Sequence, residues 1–65
     1  MLFRSVNFSD YIASLRIQRA KELLRDESIS IQEIAEIVGY NDYFYFTKVF
    51  KKVEGISPSK YRKSI

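Results

Sequence analysis

Hydrophobic residues recur at helical spacing in the middle of the chain, in two runs separated by a turn at Gly39. The first run begins after Ser30, a good N-cap residue, and Glu33 follows three residues later, as in a capping box. Its apolar positions have the spacing of one helical face: Ile31, Ile34, Ala35 and Val38. Gly39 follows directly, where a left-handed backbone conformation costs least for glycine. The pattern predicts a short helix that ends at Gly39.

The second run is rich in aromatic residues and starts just beyond this turn. Asn41 is a candidate N-cap, and Asp42 would stand in the positively polarised first turn. The run continues to about Val53, and Gly55 ends it. Two helices joined this tightly, with a glycine in the turn, match the helix-turn-helix pattern. A plain helical hairpin is the alternative, although it usually has a looser polar loop.

The predicted second helix has an apolar side and an outward side. Its apolar side should face the core: Phe46, Val49, Phe50 and Val53. Helix-turn-helix proteins place this recognition helix, here residues 42–52, in the major groove of DNA. We therefore expect contacts to base edges from Tyr43, Phe44, Thr47 and Lys48. We expect contacts to phosphates, which position the protein without reading sequence, from Ser30, Asn41, Lys51, Lys52, Arg62 and Lys63.

Phe44 is unusual because it is an apolar residue in the middle of the outward side. Its ring either contacts thymine methyl groups or folds back over Tyr40 or another neighbour, and the sequence leaves both possibilities open. Tyr43 and Tyr45 fit half-buried packing better than stacking on bases.

A longer helix, from about Phe8 to Arg25 with Asn7 as its cap, is predicted ahead of this pair. An ordinary surface helix has one apolar stripe, but this one has two. The first can be covered by the helix-turn-helix pair: Ala13, Ile17, Ala20 and Leu24. The second, which we call the association face, has nothing left to cover it: Phe8, Tyr11, Ile12 and Leu15. Hence the chain should be part of a larger domain or should self-associate. Arg16 and Arg19 beside the stripes could shield them with their stems or contact phosphate.

The two ends of the chain complete the predicted architecture. Residues 1–6 are expected to be a lead-in that is disordered or left from cloning. Ser57 and Pro58 begin a last short helix, since proline costs nothing at the first helical position. The predicted fold is all-α: a small helical bundle over residues 7–65 with a homeodomain-like helix-turn-helix, preceded by a long linker helix.

Composition limits the chemistry that the chain can perform. With 65 residues it is one small domain, and it has no Cys and no His. This excludes disulfides, most transition-metal sites and nucleophiles that depend on Cys or His. Glu33 and Glu36 are better interpreted as capping and solvated residues than as a catalytic pair. We expect no enzyme, no cofactor and, without an apolar run of about 18 residues, no membrane partner. A cytoplasmic protein is the expectation.

Charge is distributed unevenly along the chain. Residues 26–42 contain five acidic and no basic residues. From Thr47 onward Glu54 is the only acid, against six basic residues: Lys48, Lys51, Lys52, Lys60, Arg62 and Lys63. A cationic end of this kind suits a polyanion such as DNA, although basic residues also suit solvated helix ends.

Three motifs resemble those of a known family: RxxRAKELL from Arg16 to Leu24, SIxEIAxxVGY from Ser30 to Tyr40, and YFxKxFKKxxGxSPxxYR from Tyr45 to Arg62. Residues 7–65 resemble the C-terminal part of the DNA-binding domain of AraC/XylS-type bacterial transcription regulators. The resemblance implies two helix-turn-helix units joined by a long helix, of which this chain holds the joining helix and the second unit. Phe44 departs from the family pattern, in which a small or polar residue is common there.

Two functions follow as expectations. The first is sequence-specific binding of double-stranded DNA as part of a bacterial transcription regulator. The alternative is a protein-interaction or dimerisation module that uses the association face. Its partner would be the missing first helix-turn-helix subdomain or a second copy of the chain.

Overall fold

The structure, a computed structural model, describes residues 8–65. They form four α-helices and no strand: α1 (Phe8–Leu23), α2 (Ile31–Ile37), α3 (Tyr43–Glu54) and α4 (Pro58–Ser64). Helices α1, α2 and α3 pack against one another, and α4 packs against α3. The prediction of an all-α bundle with a helix-turn-helix behind a long helix is confirmed. The predicted lead-in at residues 1–6 and the cap at Asn7 lie outside the described residues.

Both ends of α2 follow the predicted pattern. Ser30 Oγ accepts from the Glu33 amide at 3.1 Å, and Glu33 Oε1 accepts from the Ser30 amide at 2.9 Å, which completes the capping box. At the other end the Gly39 amide donates to Glu36 O at 3.1 Å and the Tyr40 amide to Ala35 O at 2.8 Å. This is a Schellman arrangement, and it requires the positive φ of +108° at Gly39.

The start of α3 corrects one prediction. Asn41 is not the N-cap, because the cap is Asp42, whose Oδ1 accepts from the amides of Phe44 at 2.9 Å and Tyr45 at 3.4 Å. A carboxylate makes stronger bonds to the positive end of a helix than a neutral amide does. The turn between α2 and α3 is consequently one residue longer than predicted.

The core lies where α1, α2 and α3 meet. Its buried residues are Ile17, Ala20, Leu24, Ile34, Ala35, Val38, Tyr40, Phe46 and Phe50. Aromatic rings contact one another through it, with centroids of Phe46 and Phe50 at 5.9 Å and of Phe50 and Tyr61 at 5.7 Å. Val53 was expected in the core but is 42% exposed, because the groove that it lines beside Ala13 of α1 stays open.

Helix α1 ends at Leu23, two residues earlier than predicted. Beyond it, the Arg25 amide donates to Glu22 O at 3.3 Å and the Asp26 amide to Leu23 O at 3.0 Å. These bonds reach back three residues, which tightens the last turn and directs the chain towards α2.

Arg62 of α4 holds this connection in place. Its Nε donates to Leu24 O at 3.0 Å, and its Nη2 donates to Asp26 O at 3.0 Å and to Ile29 O at 2.7 Å. Carbonyls at the end of a helix lack partners within the helix, so the guanidinium satisfies groups that the backbone leaves open. Three of the five N–H donors of Arg62 are used in this way. We therefore assign Arg62 to the fold rather than to phosphate binding.

The connection is also stabilised from within. Asp26 Oδ1 accepts from Ser28 Oγ at 2.6 Å and from the Ser28 amide at 3.0 Å. The Ser28 hydroxyl, then the Ser28 amide and, more weakly, Arg62 lower the pKa of the Asp26 carboxyl. Because the pKa of Asp26 is lowered in the folded state, its ionised carboxylate stabilises the fold at neutral pH. This stabilisation is lost as the pH falls through the folded-state pKa.

Replacing Arg62 by Ala should lower the free energy of unfolding by about 2 to 3 kcal/mol, because several charge-assisted hydrogen bonds are lost. Arg62→Lys should recover only part of this, since an ammonium group cannot reach three carbonyls in the same fork. Urea denaturation measures both effects. Lys63→Ala removes a neighbouring exposed charge as the control. Equal stabilities for Arg62→Ala and Lys63→Ala would contradict the role of Arg62.

Gly39→Ala should destabilise the fold more than Gly55→Ala. Both glycines have positive φ, of +108° and +88°, where an L-residue is strained by roughly 1–2 kcal/mol. A Cβ at Gly39 would also come within 3.2 Å of the Arg16 guanidinium, whereas a Cβ at Gly55 would meet nothing within 4 Å. Urea denaturation in the wild-type and Arg16→Ala backgrounds tests this. The difference between the two glycines should shrink when Arg16 is absent, and an unchanged difference would refute the steric explanation.

Candidate nucleic-acid interface

The outward side of α3 presents a row of three exposed side chains, Phe44, Lys48 and Lys51. They stand at positions i, i+4 and i+7, so they follow one helical face over about 10 Å. The burial of Phe46 and Phe50 on the opposite side turns this row to solvent. We call these three residues the outward row. Lys52 lies at its edge and is also exposed.

Phe44 is the most exposed large hydrophobic residue of the described part of the chain, at 79%. It does not fold back over Tyr40, whose ring neighbours are Tyr45 at 5.6 Å and Phe46 at 5.8 Å. Its one aromatic neighbour within residues 8–65 is Tyr43, with centroids 5.4 Å apart and the rings nearly perpendicular. Tyr45 packs edge-on against Tyr40 while half exposed, in line with the packing interpretation of that residue.

Thr47 lies half-buried beside the outward row. Its hydroxyl donates to the Tyr43 carbonyl at 3.0 Å, so its proton is already engaged within the helix. The methyl group and the oxygen lone pairs are what Thr47 can offer to a base.

The phosphate-binding candidates fall into two groups. Asn41, Lys51, Lys52 and Lys63 are exposed. Arg62 is turned inward, and the Ser30 amide is occupied by the Glu33 carboxylate at 2.9 Å. The structure thus brings Lys51 and Lys52 together on α3 and leaves Lys63 on α4.

An ion pair between α1 and α3 was not anticipated from the sequence. Lys21 Nζ lies 3.2 Å from Glu54 Oε1, and Lys21 also lies over the ring of Tyr61, 5.9 Å from its centroid. Glu54 is the one acid after Thr47. Because Lys21 pairs with Glu54, no unpaired acid remains after Thr47 to oppose the lysines of α3. No local pattern could have identified this pair, because its members are 33 residues apart.

Arg16 of α1 lies against the helix-turn-helix turn. Its guanidinium carbon is 5.1 Å from the centroid of the Tyr40 ring, a cation–π arrangement. It lines an open groove of about 520 Å³ together with Phe8, Ile12 and Tyr40. The sequence left open whether Arg16 shields the apolar stripes or contacts phosphate. In the structure its side chain packs on the fold, over the Tyr40 ring.

Within residues 8–65 no cluster of three or more acidic residues could hold a metal ion. No helix in the same range is long and apolar enough to cross a membrane.

A family model described as a helix-turn-helix domain matches residues 2–64. The raffinose operon transcriptional regulatory protein RafR of Pediococcus pentosaceus is 50% identical over 54 residues, which cover 83% of this chain and 20% of RafR. The Msm operon regulatory protein of Streptococcus mutans is 44% identical over 64 residues, 95% of this chain and 23% of that protein. The HTH-type transcriptional activator RhaR of Pectobacterium carotovorum is 44% identical over 52 residues, 80% of this chain and 18% of RhaR. The chain thus spans about a fifth of the length of these relatives. No solved structure is significantly similar to it.

Proposed function

Since this chain belongs to the AraC-type helix-turn-helix family of transcription regulators, we propose that it binds double-stranded DNA with α3 in the major groove. The observation that carries the proposal is the outward row of Phe44, Lys48 and Lys51, which is exposed to solvent and whose lysines form no ion pair within residues 8–65. Such a row fits a groove lined by base edges and bordered by phosphates.

Individual roles follow from side-chain chemistry and position. Lys48, in the second turn of α3, donates to guanine O6 or N7. Thr47 offers its methyl group and lone pairs, and Tyr43 and Phe44 present their rings to the bases that face the start of the helix. The phosphate contacts come from Asn41, Lys51, Lys52 and Lys63. Ser30 and Arg62 are left out, because their donors serve the capping box and the α1–α2 connection.

The setting of this activity is the bacterial cytoplasm, where operator DNA lies. The activity is that of one DNA-reading unit within a longer regulator, as the coverage of its relatives suggests.

A second candidate function rests on the association face. Three of its residues are strongly exposed, Phe8 at 77%, Tyr11 at 54% and Leu15 at 49%. Phe8 and Ile12 also line the groove beside Arg16, so the association face adjoins the helix-turn-helix turn. A surface of this kind marks an interaction site. We propose that it is covered by the first helix-turn-helix subdomain of a longer regulator or, in the isolated chain, by a second copy.

Affinity for random-sequence duplex should fall steeply with salt, with a slope of about −0.9 in log K against log salt for each phosphate contact. Lys48→Ala/Lys51→Ala should make the slope shallower by one to two such contacts and should weaken binding at low salt. Fluorescence anisotropy with a labelled duplex measures both.

Arg25→Ala/Lys60→Ala is the matched control, because it removes two exposed charges that are outside the proposed interface. If both double variants changed the slope equally, binding would depend on net charge rather than on α3. Absence of binding at low salt would refute DNA binding by this chain alone.

The isolated chain should be a dimer at tens of micromolar, with twice the mass of the 7.7 kDa chain. Leu15→Glu should convert it to a monomer by placing a charge in the association face, whereas Ser14→Glu on the adjacent polar side should not. Multi-angle light scattering measures the mass. A monodisperse wild-type monomer that melts cooperatively would contradict self-association.

A further inference from the structure

We infer that Phe44 makes this interface selective for thymine, because its ring rests on the C5-methyl groups of thymines in the major groove. The inference deepens the proposed function and rests on it. It assigns to one residue a chemical preference that is separate from the general attraction of the lysines for DNA.

The exposure of Phe44 has no explanation within the fold. The side chain is 79% exposed and contributes nothing to the core. Its backbone is held at the start of α3, because its amide donates to the Asp42 carboxylate at 2.9 Å, and its ring has one aromatic contact, with Tyr43 at 5.4 Å. An apolar ring that a capped helix start presents to water is suited to an apolar ligand.

The major groove offers one apolar group, the C5-methyl of thymine. Phe44 is the second residue of α3, at the end of the helix that meets base edges in helix-turn-helix proteins. Its ring is large enough to cover more than one methyl group. Burial of each methyl should strengthen binding by about fourfold.

The neighbouring charges favour DNA over an apolar protein partner as the occupant. Lys48 and Lys51 follow Phe44 on the same face, and Glu54 is paired with Lys21. The Asp42 carboxylate next to Phe44 is engaged by backbone amides. An apolar protein surface seated on Phe44 would have to desolvate both lysines, whereas DNA supplies them with guanine acceptors and phosphates.

The geometry also limits where the thymine lies. Phe44 and Lys48 are four residues apart, which is a rise of about 6 Å along the helix. Base pairs are stacked at about 3.4 Å. The thymine read by Phe44 should therefore lie within about two base pairs of the guanine read by Lys48.

The test begins with duplexes selected by the wild-type chain from a random pool at low salt. Affinity is then measured for the selected duplex and for the same duplex with deoxyuridine in place of thymine, which removes the methyl groups and preserves base pairing. We expect the substitution to weaken wild-type binding about fourfold or more. Phe44→Ala should bind both duplexes equally, with the weaker affinity of the wild type for the uracil duplex.

Tyr45→Ala is the matched control, an aromatic residue of α3 that is half exposed and lies outside the outward row. It should keep the full preference for thymine over uracil. Circular dichroism shows whether each variant is folded, and Phe44→Ala should be, because Phe44 is absent from the core. Replacing the thymines by deoxyuridine one at a time then locates the thymine that Phe44 contacts. Replacing the guanines by 7-deazaguanine identifies the base pair that Lys48 contacts through N7.

The outcomes separate the inference from the proposed function. Salt-dependent binding with no preference for thymine over uracil would overturn the inference and leave DNA binding intact. A preference that persists in Phe44→Ala would also overturn it and would indicate another reader, such as the Thr47 methyl group. Failure of the wild type to bind any duplex would overturn the proposed function and the inference together.

Discussion

The burial of Phe46 and Phe50 is the constraint on which the rest of this structure depends. Both rings are completely buried against α1 and α2, and burying each should contribute about 1.5–3 kcal/mol. Because they project from one side of α3, they fix its rotation about its own axis. The residues that reach solvent follow from that rotation, so the outward row is a consequence of core packing. The DNA-binding role of the row is our proposal from the family relationship, whereas the two phenylalanines determine which residues the row contains.

The sequence was informative wherever one short segment decides the structure. The capping box at Ser30 and the glycine turn at Gly39 depend on groups within a few residues of each other, and both are found as predicted. Asn41 was predicted as the cap of α3, but the cap is Asp42. Both residues are good caps, and the turn geometry decides between them. For the same reason, the sequence predicted that each helix exists but placed the end of α1 and the start of α3 one or two residues away from where they lie.

Contacts between distant segments were beyond the reach of local patterns. Arg62 bonds to carbonyls 33 to 38 residues earlier in the chain, so its position among the C-terminal basic residues suggested phosphate binding instead. Val53 follows the apolar period of α3 and still faces an open groove, because periodicity does not tell how closely the neighbouring helix packs. For the candidate site, wheel positions predicted that Phe44 and Lys48 point outward. They could not reveal that Glu54, the one acid after Thr47, is paired with Lys21.

The hydrogen bonds of Arg62 have a consequence for how the chain is made. The carbonyls that they satisfy belong to the connection between α1 and α2, in the first half of the sequence. During synthesis this connection leaves the ribosome well before the residue that secures it. Until α4 emerges, water takes the place of Arg62 at these three carbonyls. The connection between α1 and α2 is thus completed only when the last helix of the unit is made, and a nascent chain that stalls short of Arg62 lacks the three bonds that secure it.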